Sequence, residues 1–266
     1  MSIDKQLLKS TLFANIESLR TEYSNNHYTK YLKGKNVAVV GPDTALKGSG
    51  LGSEIDGSDI VIRHNTIWEY LPLDGDLAKD YGNKVNVIYL APQCIKDYSG
   101  KRETVVKLKL LKAKHGLRFV VYQNGNKDGK YITGAHCFDK QLSWWKKTCK
   151  AVGVDMHYSD HVTRDLVKLM NQYSGGIDVI PRTGFISVVD AFVHQVGKLK
   201  IRGMSFYHGG GHAFRKKAME VLDPTLNAYG KDSGSHNSHV ELEAFGDLRD
   251  SCTWVTVDFV FPNSTS

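Results

Sequence analysis

The sequence has no run of about 20 apolar residues, the length that an α-helix needs to cross a bilayer. Its first twenty residues mix charged and apolar side chains and lack the apolar core of a cleaved secretory signal. The four cysteines, Cys94, Cys137, Cys149 and Cys252, show no CxxC spacing, so no zinc motif is indicated. We therefore expect a cytoplasmic protein whose cysteines remain free thiols.

The sequence also has little excess charge of either sign. Its 35 Lys and Arg residues exceed its 28 Asp and Glu residues by 7. Such a mild positive excess favours an anionic ligand, or a membrane surface that the protein contacts without entering the bilayer. Nucleic-acid motifs and basic–aromatic repeats are missing, so we expect no nucleic-acid partner.

Strand-like and helix-like patterns alternate along the chain and predict an α/β fold. We expect a single Rossmann-like domain over residues 35–266, with a mostly parallel sheet and helices on both faces. Residues 1–34 are predicted to form a helical extension, whose apolar period indicates packing rather than membrane binding. The predicted strands are 36–41, 58–64, 85–90, 118–122, 177–180, 199–203 and 253–259, and the predicted helices are 3–32, 103–115, 138–151, 159–173, 184–196 and 238–249.

The stretch from Val37 to Asn65 is the most informative part of the sequence. An apolar run ends at Gly41, a glycine-rich turn follows, and a second apolar run ends at Asn65. This layout is typical of an α/β sheet that binds a nucleotide at its strand ends. The turn matches neither the GxGxxG fingerprint nor the P-loop, because Leu46 stands where the second P-loop glycine belongs. The stretch therefore predicts a nucleotide site without identifying the nucleotide.

A second glycine-bounded unit runs from Ile177 to Phe214. A predicted strand stops at Pro181, and Thr183 is a residue type that can cap the helix that follows. The first turn of such a helix offers N–H groups and a positive dipole end to an anion. A plain packed helix remains the alternative interpretation.

Two further patterns could bind a metal. The segment 74–76 reads Asp-Gly-Asp, a DxD pattern that many sugar-nucleotide enzymes use to hold a divalent cation, but its polar setting favours a surface turn. His208 and His212 have HxxxH spacing, yet the three glycines between them disfavour the helix that a zinc pair needs. Loop histidines can instead do acid–base and phosphate work near neutral pH, or simply be exposed.

These units occur together and in order, and in that order they resemble the sialylmotifs of glycosyltransferase family 29, the sialyltransferases. Residues 37–65, extended by Asp80-Tyr-Gly-Asn-Lys84, resemble the long motif, and PRTG…LKIRGM (181–204) resembles the short motif. His236-Asn-Ser-His-Val-Glu241 is similar to the HxxxxE motif, and residues 207–212 stand at the position of the third, histidine-containing motif. The resemblance covers about 37–90 and 178–245.

The resemblance implies an inverting, metal-independent glycosyltransferase with a variant GT-A-like fold. It would move a ulosonic acid, sialic acid or Kdo, from a CMP-activated donor to a hydroxyl of a glycan or glycolipid acceptor, with no further cofactor. The catalytic residues implied are His236 as base, Glu241 beside it, and His212 or His208 at the phosphate. The nucleotide-binding residues implied are Gly41, Pro42, Asp43, Thr44, Asn65, Arg182, Thr183, Gly184 and Gly203.

The chain departs from the family pattern at four positions. Pro42 stands where most members have Asn, so we expect Asp43 or Thr44 to supply the lost polar contact. Asn36 replaces one motif cysteine and the other falls near Val196, so the inter-motif disulfide is absent. Arg182 replaces a small residue and is expected to meet a carboxylate or phosphate. These departures leave open Kdo as the donor, and Pro42 leaves open an inactive nucleotide- or carbohydrate-binding module. The histidines and the Asp-Gly-Asp segment leave open a metal-dependent transferase or hydrolase.

Overall fold

A computed structural model describes residues 5–65, 67–123, 135–174, 181–204 and 238–259. The helices within these ranges are α1 (Lys5–Glu22), α2 (His27–Leu32), the 3₁₀ helix η1 (Thr44–Leu46), α3 (Gly52–Asp56), α4 (Ile67–Tyr70), α5 (Gly75–Tyr81), α6 (Pro92–Tyr98), α7 (Arg102–His115), α8 (Ala135–Val152), α9 (Asp160–Tyr173), α10 (Thr183–Val193) and α11 (Ser238–Ser251). The strands are β1 (Asn36–Val40), β2 (Ile60–His64), β3 (Val87–Leu90), β4 (Phe119–Tyr122), β5 (Asp155–Tyr158), β6 (Lys198–Arg202) and β7 (Thr256–Phe259).

The seven strands form one sheet in the order β5-β4-β3-β2-β1-β6-β7, and every pairing is parallel. The chain builds outward from β1 in one direction through β5, and then crosses to the other side of β1 for β6 and β7. The point where the direction reverses lies between β1 and β6. In open parallel sheets, ligands bind beyond the carboxyl ends of the strands at such a point.

Alternate residues of each strand pack on opposite faces of the sheet, so the core has two layers. Val37 and Val39 join one layer, while Ala38 and Val40 join the other, and all four are fully buried. The first layer is covered by α1, α2, α9, α10 and α11, and the second by α3 to α8. The N-terminal helix α1 packs against α9, α10 and α11, which confirms the prediction of a packing helix.

The predicted α/β fold with a parallel sheet is confirmed, but some elements differ. Six of the predicted strands are present, the predicted strand 177–180 lies outside the described residues, and β5 was missed. Strand β5 is a four-residue edge strand of mostly polar sequence, so its only strong signal is the backbone pairing with β4. The predicted helix 3–32 is two helices, because Asn26 caps α2 by accepting a 2.8 Å hydrogen bond from Tyr28 N.

The two positions at which related sequences would carry a disulfide do adjoin here. Gly197 N donates to Lys35 O (2.9 Å), and Gly34 N donates to Gln195 O (2.9 Å). Backbone hydrogen bonds therefore hold this junction without a cross-link. Among the described residues, the thiols of Cys94, Cys149 and Cys252 are buried and form no disulfide.

A buried polar chain crosses the first core layer. Tyr89 Oη donates to Asp190 Oδ2 at 2.9 Å, and Tyr28 Oη lies 3.0 Å from Tyr89 Oη. The Asp190 side chain is fully buried, and this burial raises the pKa of its carboxyl to about 8, although hydrogen bonds from Tyr89 and Ser159 oppose the rise. Burial therefore favours the protonated form of Asp190.

Asp190 should make the stability of the fold depend on pH. Its pKa rises from 3.8 to about 8 on folding, so between these values the folded protein binds more protons than the unfolded chain. The contribution to stability is complete below the unfolded pKa and is lost as the pH rises through about 8. We expect wild-type protein to lose thermal stability over this range relative to Asp190→Asn, as measured by melting temperature against pH. Parallel pH profiles for the two proteins would show that this assignment is wrong.

Candidate nucleotide site at the carboxyl edge of the sheet

The ends of β1 and β6 approach each other unusually closely. Gly41 N donates to Arg202 O (2.9 Å), and Asp43 N donates to Gly203 O (3.0 Å). A Cβ atom placed on Gly41 would lie 2.2 Å from Gly203 O, and one on Gly203 would lie 2.7 Å from Gly41 O. Gly203 also has a φ of +61°, a conformation that favours glycine. The structure thus brings Gly41 and Gly203 together at the reversal point of the sheet.

Met204 lies beside Gly41 and Gly184. The sequence analysis did not single out this residue. A Cβ atom on Gly41 would come within 2.6 Å of Met204 Cγ, and one on Gly184 within 2.9 Å of Met204 Cε. The side chain of Met204 is partly buried against the first core layer. The sequence signal that could have identified Met204 was its place at the end of the LKIRGM segment, directly after Gly203.

Asp43 shapes the turn that follows β1. Its Oδ1 accepts a hydrogen bond from Ala45 N (2.9 Å), which caps η1, and its carbonyl oxygen accepts one from Tyr81 Oη (2.5 Å). Asp43 is buried, whereas Pro42 and Thr44 are half-buried. The reversal point around Gly41 and Gly203, beyond the carboxyl ends of β1 and β6, is called the crevice. Asp43 and Thr44, which were expected to replace the lost family contact, follow directly after it, and one carboxylate oxygen of Asp43 is already engaged in the turn.

Asn65 fastens three elements at the carboxyl edge. Its Oδ1 accepts from Ala91 N (3.0 Å), and its Nδ2 donates to Thr183 Oγ1 (3.3 Å). These bonds link the end of β2 to the segment after β3 and to the start of α10. The backbone of Asn65 has a φ of +46°, which Asn tolerates better than most residues. Asn65 and Thr183, which the resemblance implies as nucleotide-binding residues, are therefore adjacent.

The helix α10 begins at this edge, one residue earlier than predicted. Thr183 is already helical, and the N-cap position belongs to Arg182, whose side chain makes no capping bond. The prediction that Thr183 caps the helix was wrong, because its hydroxyl meets Asn65 while the Glu241 carboxylate binds Arg182 N. The first turn of an α-helix presents N–H groups without intrahelical acceptors and a partial positive charge.

Arg182 and Glu241 form a buried ion pair. Arg182 N donates to Glu241 Oε1 at 2.7 Å, and Arg182 Nη1 donates to Glu241 Oε2 at 3.0 Å. The Glu241 side chain is 1% exposed and that of Arg182 is 13% exposed. Burial raises the pKa of the Glu241 carboxyl, while Arg182 acts in the opposite direction. The carboxylate that Arg182 was expected to meet thus comes from the protein itself, and it ties the start of α11 to the start of α10.

The glycine-rich turn is occupied by an internal carboxylate. Gly48 N donates to Asp80 Oδ2 (2.7 Å) and Gly50 N donates to Asp80 Oδ1 (2.9 Å). A Cβ atom on Gly52 would lie 2.2 Å from Ala78 O, so this glycine permits close packing against α5. The N–H groups of Gly48 and Gly50 are therefore bound to Asp80 and are not offered to a nucleotide.

Arg63 and residues 80–84 of the long motif also bind each other. Arg63 is fully buried and donates to the carbonyl oxygens of Tyr81 (2.8 Å), Gly82 (2.9 Å) and Lys84 (2.9 Å). Burial lowers the pKa of Arg63 to about 10. Residues 80–84 therefore form a scaffold around the arginine and the turn rather than a ligand surface.

His64 ends β2 directly beneath the crevice. Its Nε2 lies 2.7 Å from Ser187 Oγ on α10, and the side chain is buried. Burial lowers the pKa of His64 to about 3, so the imidazole is neutral at ordinary pH. It joins β2 to α10 and does not serve as a proton donor near neutrality. The sequence analysis did not single out this residue.

The structure does not describe the predicted catalytic histidines, and it shows no metal site at the DxD segment. His208, His212 and His236 lie outside the described residues. The DxD segment starts the helix α5 rather than forming a simple turn, with Asp76 exposed and paired with Lys79 at 3.0 Å. Across the described ranges, no cluster of three His, Cys, Asp or Glu side chains could hold a metal ion, and no helix is long and apolar enough to cross a membrane.

Comparisons with known proteins identify relatives of the chain. The family profile described as glycosyltransferase family 29 (sialyltransferase) matches residues 4–195, whereas no curated protein sequence matches significantly. The solved structure of the sialyltransferase CstII from Campylobacter jejuni with cytidine-5'-monophosphate is similar at a TM-score of 0.54 and 18% identity, over 88% of this chain and 82% of that one. The α-2,3-sialyltransferase Cst-I from the same organism gives 0.56 and 15%, over 87% and 78%. At these identities the likeness to solved structures shows a common fold.

The family match has different limits from the motif resemblance. It includes residues 91–177 and the N-terminal helices, where the motifs showed no likeness. It ends at residue 195, before the segment that holds His208, His212, His236 and Glu241. The match therefore covers α1 to α10 and does not include β6, α11 or β7.

Replacing Gly41 should disrupt the crevice. In Gly41→Ala the new methyl group would overlap Gly203 O, so we expect a loss of about 1–3 kcal/mol in the free energy of unfolding, measured by urea denaturation. Gly246→Ala is the control, since that site in α11 has no atom within 4 Å and alanine favours helix. Equal stability of the two variants would contradict the close-contact account.

The Arg182–Glu241 pair should be strongly coupled. A double-mutant cycle with Arg182→Met and Glu241→Gln should give a coupling energy of about 1–3 kcal/mol in urea denaturation, because each partner is buried with the other. The exposed pair Lys79–Asp76 provides the control cycle, for which we expect nearly additive effects because solvent screens the two charges. Additive effects at Arg182 and Glu241 would refute the coupling.

Proposed function

This chain belongs to glycosyltransferase family 29, the sialyltransferases, and we propose that it transfers sialic acid from a CMP-activated donor to a hydroxyl group of a glycan or glycolipid acceptor. The observation that carries this proposal is the crevice between β1 and β6. Gly41 and Asn65 from the long motif lie there together with Thr183, Gly184 and Gly203 from the short motif. Parallel sheets bind nucleotides at this kind of position.

The chemistry of the crevice suits a nucleoside monophosphate. The first turn of α10 offers oriented N–H groups and a partial positive charge, which stabilise a phosphate without a metal ion. CMP carries one phosphate and so needs less compensating charge than a diphosphate leaving group. CstII, which shares this fold, was solved with cytidine-5'-monophosphate, and we assign the same nucleotide to this chain.

The proposed reaction is a single inverting displacement. His236 removes the proton from the acceptor hydroxyl, whose oxygen attacks the anomeric carbon as the bond to CMP breaks and the electron pair leaves with the phosphate. His212 or His208 donates a hydrogen bond or a proton to that phosphate. Glu241 acts at a distance from these atoms, because it holds the start of α11, a few residues after His236, against α10.

We assign sialic acid rather than Kdo as the donor sugar on the evidence of Arg182. This residue differs from the family pattern and could have made a new contact with the donor, but its guanidinium binds Glu241 instead. Pro42 remains a difference at the nucleotide side of the crevice.

The assay that tests the proposal measures release of CMP from CMP-sialic acid and from CMP-Kdo in separate reactions. We expect faster release from CMP-sialic acid, no loss of activity in EDTA, and a decrease of about 10²–10⁴-fold in His236→Ala, the range typical of a general base. CMP should raise the melting temperature more than AMP does.

Each arm can contradict a different part of the proposal. Equal stabilisation by AMP would overturn the nucleotide assignment, and faster release from CMP-Kdo would overturn the donor. Loss of activity in EDTA would establish a metal requirement. Near-wild-type turnover in His236→Ala would move the base elsewhere, with the exposed His239 as the next residue to replace. The variant Lys79→Gln should keep full activity, because Lys79 lies on the exposed surface of α5.

A further inference from the structure

The positive charge of the chain is concentrated on two helices. Together α7 and α8 hold nine Lys and Arg residues but only two acidic residues, so their excess of seven equals the excess of the whole chain. The remainder of the sequence is therefore balanced. The mild net charge of the chain is therefore a strong local charge on α7 and α8.

Both helices turn their basic residues away from the sheet. They pack against each other and belong to the second core layer, which they join through Leu108, Leu111, Trp145 and Cys149. The opposite side of each helix is exposed and forms one outer surface, which we call the basic face. Its charged members are Arg102, Lys109, Lys112, Lys114, Lys140, Lys146, Lys147 and Lys150.

Few acidic side chains accompany the basic face, since α7 and α8 contain only Glu103 and Asp139. In the part of the chain that the structure describes, none of its members forms an ion pair with a carboxylate. Lys112 donates to a backbone carbonyl, and Lys146 lies over the Tyr158 ring at 5.1 Å. Some basic residues elsewhere do form ion pairs, as Lys200 does with Glu54 and Arg202 with Asp258. The surface therefore carries a positive potential that the protein itself does not neutralise.

Apolar side chains lie among these charges. Val106 is 58% exposed on the outer side of α7, one turn from both Arg102 and Lys109. Trp144 is partly exposed on α8 between Lys140 and Lys147. Lysines surrounding exposed apolar and tryptophan side chains are typical of helices that lie on an anionic membrane surface. Only one arginine is present, whereas nucleic-acid surfaces favour arginine forks and stacking aromatic rings.

We propose that the basic face binds the surface of a bilayer containing anionic phospholipids, without insertion of any helix. The helices α7 and α8 end just before the parallel strands β4 and β5 begin, so their carboxyl-terminal ends lie at the amino edge of the sheet. Each helix therefore begins near the carboxyl edge. The amino-terminal ends of α7 and α8 consequently lie at the same edge as the crevice between β1 and β6. This proposal rests on charge and exposure and is independent of the proposed transferase activity.

The test is co-sedimentation of the protein with vesicles. We expect binding to phosphatidylcholine vesicles that contain about one third phosphatidylglycerol, weak binding to pure phosphatidylcholine, and release at about 1 M salt. The triple variant Lys109→Gln, Lys147→Gln and Lys150→Gln should bind on the order of a hundredfold more weakly. All three side chains are exposed, so its melting temperature should equal that of wild type.

The matched control removes three exposed lysines from another surface. The variant Lys30→Gln, Lys33→Gln and Lys35→Gln has the same net charge as the test variant but an intact basic face, so it should bind vesicles like the wild type. Equal weakening in both triple variants would show a dependence on net charge and overturn the proposal. So would equal wild-type binding to neutral vesicles, or tighter binding to a DNA duplex than to anionic vesicles at the same salt.

Discussion

At the carboxyl ends of β1 and β6 two backbone segments touch with no side chain between them, because glycine occupies both Gly41 and Gly203. The contact lies where the strand order reverses, which is where a parallel sheet leaves a crevice. Met204 packs over it, and Asn65 and Thr183 are joined to each other beside it. Separating the two segments by one methyl group would displace the walls of the crevice, so the geometry of the site depends on this contact.

Internal carboxylates determine which polar groups of the motifs can reach a ligand. Asp80 takes the N–H groups of the glycine-rich turn, and Glu241 takes the charge of Arg182. The long motif is thus mainly a scaffold that holds the turn after β1 in place. The crevice itself is lined by backbone and by the first turn of α10, whose oriented dipoles suit the single phosphate of the proposed donor.

The two proposals concern different surfaces of one architecture. The crevice lies at the edge of the sheet, while the basic face covers the outer side of α7 and α8. Because both helices begin at the carboxyl edge, a membrane bound to the basic face would lie beside the crevice. An acceptor attached to that membrane would then reach the site without diffusing through solution, which raises its effective concentration.

The sequence by itself determined the α/β class and six of the strands, because apolar periodicity is a local property. The motif resemblance also pointed to Gly41 and Gly203, which the fold brings into contact. It could not identify the edge strand β5, whose polar residues are held by pairing with β4. Nor could it assign partners. Asp80 lies 30 residues from Gly50, and Arg182 lies 59 residues from Glu241. Only the tertiary structure decided that these groups satisfy each other, because a hydrogen bond depends on distance in space rather than along the chain.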